Sequence, residues 1–177
     1  MRFLWIDSRD TPYNDWLALR HRILREPLGL SFTLEDLAEE RDHRHLIAVA
    51  DETVFGGLTV ICLDETSWKI RQVAVDEKLR GSGLGRDLML RMETEAREKA
   101  VTRLVLNSRE EVVPFYEKLG YDGVGDVFIE VGIPHRKMVR DLTRGEREKK
   151  IRIEKKVPLR RSTITCAKPF PKVGMKD

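Results

Sequence analysis

The stretch Val73 to Arg86, V-A-V-D-E-K-L-R-G-S-G-L-G-R, decides how this chain folds. Ahead of it, Trp68-Lys-Ile-Arg-Gln-Val-Ala-Val75 is rich in apolar and β-branched residues, the composition of a strand. Behind it, Leu84, Leu88, Met92 and Ala96 recur at helical spacing among Arg, Glu and Lys. The glycines therefore sit at a strand-to-helix junction. The first amides of a helix have no partner within it and carry its positive dipole end, so a loop free of Cβ atoms lets an anion approach them. Gly81, Gly83 and Gly85 supply that freedom, with Ser82 and Leu84 between them, and Arg80 and Arg86 add charge suited to phosphate oxygens. The segment Arg80–Arg86 reads as a cradle for a pyrophosphate.

Several nucleotide loops use the same physics, and the spacing separates them. A Walker A loop requires Lys-Ser or Lys-Thr after its last glycine, and a dinucleotide fingerprint requires G-x-G-x-x-G; here the glycines run G-x-G-x-G and neither pattern fits. Arg80-Gly-Ser-Gly83-Leu-Gly85 instead resembles the R-x-x-G-x-G/A motif of the GNAT superfamily of acyl-CoA-dependent N-acyltransferases. Downstream, Pro114-Phe-Tyr-Glu-Lys-Leu-Gly-Tyr121 is similar to that family's F-Y-x-K-x-G-[FY] segment, with a strand-like Arg103-Leu-Val-Leu-Asn107 in between. The stretch Gly132-Ile-Pro-His135, together with Arg71-Gln-Val-Ala-Val75, resembles small bacterial members of the ElaA-like group. The resemblance spans roughly residues 46–142 and fits the first forty or so more loosely.

That resemblance implies acetyl-CoA as co-substrate and no metal. It implies that the backbone of Val73, Ala74 and Val75 pairs with pantetheine and that the loop amides hold the CoA pyrophosphate. It aligns Tyr116 with the family's proton donor to the leaving sulfur, and Asn107 with a polar residue that bonds the pantetheine amide. Read without the family, Tyr116 is a core aromatic and Asn107 a strand-end cap; Phe115 and Tyr121 are packing.

Composition sets the outer bounds. The 177 residues, 41% hydrophobic, suffice for one full core, and the length suggests one domain with an appendage. Residues 1–142 form the expected domain, with a net charge of −5, and residues 143–177 a basic extension of +8. Cys62 and Cys166 stand in no metal-binding spacing, and Cys62, in an apolar run, reads as buried and inert. The N-terminus is too short in apolar residues for a signal peptide and no run is long enough to span a bilayer, so a cytoplasmic protein without a membrane partner is expected.

Taken in order, Met1–Asp7 reads as a strand, and a helix starting at Asp10-Thr-Pro12 carries Tyr13, Trp16, Leu17, Arg20, Ile23 and Leu24 on one face. Thr33-Leu-Glu-Asp36 opens a shorter helix through a weak capping-box match. In the family this helical pair walls the acceptor site. From His45 the pattern turns to strands, with turns at Asp51–Thr53 and Asp64–Thr66, an antiparallel meander ending at Val75. A helix near Glu110–Leu119, closed by Gly120, and strands near Tyr121–Phe128 and His135–Leu142 complete an α+β domain. The expected architecture is GNAT-like: a mixed, mostly antiparallel twisted sheet with splayed central strands and helices on both faces.

An alkyl ammonium with a pKa near ~10 must lose a proton before it attacks a thioester, and the oxyanion and departing thiolate need donors. Backbone amides near Val75 are the expected oxyanion donors. For the base the candidates are Glu39, Glu40, Asp42, His45, Glu65, Glu130 and His135. Acidic residues on a helix are usually a solvated face, so His135, at a strand start beside the splay, is retained as the site residue with Tyr116. Arg71 and Gln72 alternate in direction, and one of them can face the acceptor. The function expected is direct acetyl transfer to a primary amine of a small molecule in a ternary complex, with a non-catalytic acyl-CoA-binding regulatory module as the alternative. The acidic balance of residues 1–142 leans toward a cationic, polyamine-like acceptor. The alternating segments of the extension suggest strand addition, with a homodimer as its consequence. Nucleic acid ranks lower, because the domain lacks an aromatic-basic stripe.

Overall fold

The computed structural model describes residues 1–143. Seven strands, β1 (Arg2–Ile6), β2 (Arg44–Ala50), β3 (Thr53–Cys62), β4 (Ser67–Val75), β5 (Arg103–Arg109), β6 (Asp122–Glu130) and β7 (Ile133–Asp141), make one sheet in the order β1-β2-β3-β4-β5-β7-β6. Every neighbouring pair is antiparallel except β4 and β5. The tight turns at residues 51–52 and 63–66 explain the antiparallel meander β2-β3-β4. The parallel step follows from the long crossover through helix α3 (Leu84–Glu98).

Helices cover both faces. On one, α3 buries Leu88, Met89, Met92 and Ala96 completely against Leu46, Leu58, Ile70, Leu104 and Leu106. A short α4 (Val113–Lys118) adds Val113 and Tyr116 to the same core. On the other face, α1 (Tyr13–Arg20) sets Tyr13, Trp16 and Leu19 against Ile47, Val49, Val54 and Ala74. A π-helical turn (His21–Arg25) continues α1. The α2 helix (Leu34–Glu39) begins at a complete capping box, in which Asp36 N–H donates to Thr33 Oγ1 at 3.1 Å and Thr33 N–H to Asp36 Oδ2 at 3.0 Å. Asp thus does here what Glu or Gln usually does.

Beneath α1 lies a polar cluster. Arg20 and Glu40 form a bidentate pair, Nη1 to Oε1 and Nη2 to Oε2 both at 2.7 Å, with side-chain exposures of 0% and 4%. Tyr13 Oη donates to Glu40 Oε2 at 2.6 Å, and Arg20 Nη1 also donates to Gln72 Oε1. Thr59 Oγ1 donates to the same Gln72 oxygen at 3.1 Å. Gln72 holds φ at +55°, and the β3–β4 register shifts between Gly57 and Thr59, so Gln72 is the extra residue of a β-bulge. The cluster thus clamps the bend in β4 from the α1 side.

Two sequence expectations change. Cys62 is exposed, not buried, because it is the last residue of β3 at the sheet margin, where cover ends although the apolar run continues to Leu63. Glu40, read as one of a solvated row, is instead sealed against Arg20. The extension beyond Thr143, with its expected strand addition and homodimer, lies outside the described residues. Among the described residues no helix is long and apolar enough to cross a membrane.

Candidate active site

The parallel pairing of β4 with β5 runs only from Ser67↔Arg103 to Ile70↔Leu106. Beyond it β4 stays on β3, through Arg71↔Thr59, Ala74↔Gly57 and Val75↔Gly56, while β5 stays on β7, through Asn107↔Lys137 and Arg109↔His135. The β4 edge from Arg71 to Val75 therefore has no strand partner on the β5 side. Unpaired strand edges offer N–H and C=O groups to any extended chain that can enter. Here the opening is a cleft of about 750 Å³, within the range of cofactor and ligand sites, bordered by Val73–Val75, Gly83–Arg86, Asn107, Tyr116 and His135.

The mouth of the cleft is the glycine loop. Gly81 and Gly83 have φ of +78° and +92°, conformations in which L side chains are strained, and a Cβ at either would meet nothing within 4 Å. Their glycine requirement is conformational. Gly85 differs: a Cβ there would make ordinary contacts, 3.6 Å to Phe115 and 3.7 Å to Val75. Gly83 caps α3, and the first intrahelical bond runs from Asp87 N–H to Gly83 O, so the amides of Gly83, Gly85 and Arg86 have no acceptor among the described residues. Ser82 does not join them in the cleft. Its hydroxyl donates to Leu79 O at 2.7 Å and accepts from Leu84 N–H at 3.4 Å, closing the loop on itself. Arg80 lies 3.4 Å from Glu77, and both it and Arg86 are exposed.

The two faces of the sheet contribute different groups. On the α3–α4 face Tyr116 is 6% exposed, its ring edge-on to Phe115 at 5.0 Å and to Tyr121 at 5.8 Å. Burial pushes its phenol pKa well up, so it stays a hydrogen donor throughout the neutral range. On the other face are Arg71, Asn107 and His135. The His135 Nδ1 lies 2.8 Å from Ile133 O, which can only accept, so Nδ1 carries the proton and Nε2 of the neutral ring is left as a base. Asn107 Nδ2 donates to Glu130 Oε2 at 2.8 Å, leaving the amide oxygen for another donor.

The other base candidates are elsewhere. Glu40 is tied to Arg20, and burial pushes its pKa up but the Arg20 hydrogen bonds and charge more than offset this, holding it below the ordinary carboxylate value. His45 is fully buried and its Nδ1 accepts from Trp16 Nε1 at 3.3 Å. Glu65 is in the exposed turn at the far end of β4, and Glu39 and Asp42 are exposed outside the cleft. Glu130 remains, lining the cleft with His135. Sequence reasoning missed the Asn107–Glu130 bond and the bulge at Gln72. Pairing across a hairpin and a positive φ at a non-glycine residue leave no local pattern.

A strand parted from its neighbour and ending in bare helix amides is the arrangement that the sequence resemblance implies for an acyl-CoA. Comparison with known proteins agrees: residues 31–142 match the family model described as acetyltransferase (GNAT) domain. The chain belongs to the GNAT family of acetyltransferases. It is 32% identical over 74 residues to the uncharacterized N-acetyltransferase YjcF of Bacillus subtilis, covering 41% of this chain and 53% of that protein. The chain thus spans about half the length of the curated relatives it matches. Among solved structures, Escherichia coli ElaA superposes with a TM-score of 0.69 at 22% identity, over 80% of this chain and all of ElaA. An aminoglycoside 6'-N-acetyltransferase complexed with coenzyme A gives a TM-score of 0.67 at 18% identity, over 80% and 97% of the two chains. These likenesses carry the fold.

Proposed function

We propose that this protein transfers an acetyl group from acetyl-CoA to a primary amine of a small molecule, by direct attack within a ternary complex. The observation that carries the reading is the unpartnered β4 edge from Arg71 to Val75, leading to unbonded amides at Gly83, Gly85 and Arg86. In this reading the pyrophosphate lies on those amides with Arg80 and Arg86 about it. The pantetheine adds to Val73–Val75 as a strand, and the thioester carbonyl reaches an amide near Val75. Asn107 offers its free amide oxygen to a pantetheine N–H.

The amine enters from the face of His135 and attacks the carbonyl carbon. As the C–S bond breaks, its electron pair stays on sulfur, which takes the Tyr116 proton from the opposite face; the ammonium proton passes to His135 Nε2 directly or through water. A covalent acyl-enzyme is not needed, and among the described residues no cysteine lines the cleft. Titration calorimetry is expected to give micromolar affinity for acetyl-CoA, and thiol release with an amine panel to give turnover. Binding without release of thiol from any amine would favour the regulatory-module alternative, and no binding would remove both.

The glycines separate two kinds of effect. Gly83→Val forces a β-branched residue to φ near +92°, a strain of about 1–3 kcal/mol, and brings a side chain to the cradle. Affinity for acetyl-CoA is expected to fall at least about ten-fold by calorimetry, because a loop that relaxes to relieve the strain no longer presents its amides and the side chain crowds the anion. Gly85→Ala, whose added methyl meets only ordinary contacts, should stay within about two-fold of the parent by the same measurement.

A further inference from the structure

The register of the sheet fixes what the acceptor meets. Ile70 and Leu106 pair with each other and both enter the α3-side core, so Lys69 and Arg71 on β4, and Asn107 and Arg109 on β5, share the opposite face. Lys137 pairs with Asn107 and His135 with Arg109, which places them on that face too. Lys69, Arg71 and Arg109 are half-buried along the cleft. None of Lys69, Arg71, Arg109 and Lys137 makes an ion pair among the described residues. Acidic groups stand nearby as well: Glu111 and Glu130 line the cleft, and Asp36, Glu39 and Glu40 line a small pocket with Arg71 without ion-pairing to it. Arg25 stacks on Phe32 at 4.9 Å and lies 3.9 Å from Asp36, and Glu130 accepts from Asn107. Arg80 and Arg86 belong to the loop.

We infer that the acceptor is a small amine carrying an anionic group, a carboxylate or a phosphate, which Arg71 receives within the positive field of Lys69, Arg109 and Lys137. This rests on the acetyl-transfer reading and names its substrate class. A half-buried guanidinium that makes no ion pair among the described residues is a ready bidentate site for such a group. A polyamine would instead bring ammonium groups against four cations that outnumber the two carboxylates, Glu111 and Glu130, lining the cleft. The sign is opposite to the lean from the overall charge of residues 1–142, because most acidic side chains of that segment lie away from the cleft. The same field favours the neutral form of the attacking amine over its ammonium.

The test uses the full chain, acetyl-CoA and four amines in a thiol-release assay: O-phosphoethanolamine, β-alanine, ethanolamine and spermidine. The anionic amines are expected to exceed ethanolamine and spermidine at least about ten-fold in kcat/KM, the order expected when a site holds a charged partner that an analogue lacks. The first two amines distinguish a phosphate from a carboxylate preference. Arg71→Gln should collapse the anionic-to-neutral ratio to within about three-fold, and Arg71→Lys should retain part of it. Preference for spermidine or ethanolamine, turnover of neither anionic amine, or an unchanged ratio in Arg71→Gln would overturn the assignment. Loss of the acetyl-transfer reading itself would appear separately, as absence of acetyl-CoA binding in calorimetry.

Discussion

Tyr116→Phe lowers kcat by about two to four orders of magnitude, the usual contribution of a positioned general acid, while leaving affinity for acetyl-CoA within about three-fold. The ring keeps its place in this variant. It is wedged between Phe115 and Tyr121 in the core beside α3, and Phe fills the same volume, so the fold is expected to change little. What is lost is one hydroxyl at the wall of the cleft. Because burial raises the phenol pKa, the wild-type group stays protonated across neutral pH, as a donor to a forming thiolate must. Single-turnover measurement of thiol release, with calorimetry for binding, separates the two effects. An unchanged kcat would leave Tyr116 as a core aromatic, the reading its helical neighbours alone suggest.

The parts of this molecule legible in its sequence are those written in local pattern. The strand-loop-helix junction at Val73–Arg86, the meander from Arg44 to Val75, the capping box at Thr33 and the left-handed Gly120 after α4 each depend on residues within a few positions of one another. The bare amides follow from the glycine spacing for the same reason. What stayed hidden depends on partners far apart in the chain. Arg20 sits at an apolar helical position and Glu40 on a run of acidic residues, and only the fold brings the two together. Periodicity says that a position faces inward, but not that a charge there is answered. Arg71 is the reverse case. Its spacing left its direction open, and that it makes no ion pair among the described residues is a property of the whole sheet face. Cys62 misled because an apolar run does not reveal where the sheet ends.

The Arg20–Glu40 pair sets the second large effect. Glu40→Ala leaves a guanidinium buried with 0% side-chain exposure and no counter-charge, a change expected to cost about 3–5 kcal/mol of unfolding free energy in urea. Replacing both partners, Arg20→Met with Glu40→Leu, should cost distinctly less, because no buried charge is then left alone. If the single and double variants lose the same stability, the pair is not what holds α1 over β4. The neighbouring His45 adds a pH signature. Burial first, and the Arg20 charge second, push its pKa down from 6.5 to about 4, so between those values the unfolded chain binds a proton that the folded chain refuses. Stability is then full above pH 6.5 and falls as pH drops toward 4, by about 3 kcal/mol at 1.36 kcal/mol per pKa unit. Glu40, whose pKa is depressed, adds its own loss only below the ordinary carboxylate range, so toward neutral pH the falling slope comes from His45 and from His43, which burial also lowers, opposed nearer the carboxylate range by Glu93, whose pKa burial raises. His45→Gln should flatten that part of the urea-midpoint profile. A flattening on removal of Arg20, with His45 intact, would show that the guanidinium which clamps the β4 bulge also keeps the imidazole neutral, joining the stability of α1 to the shape of the strand edge where pantetheine would lie.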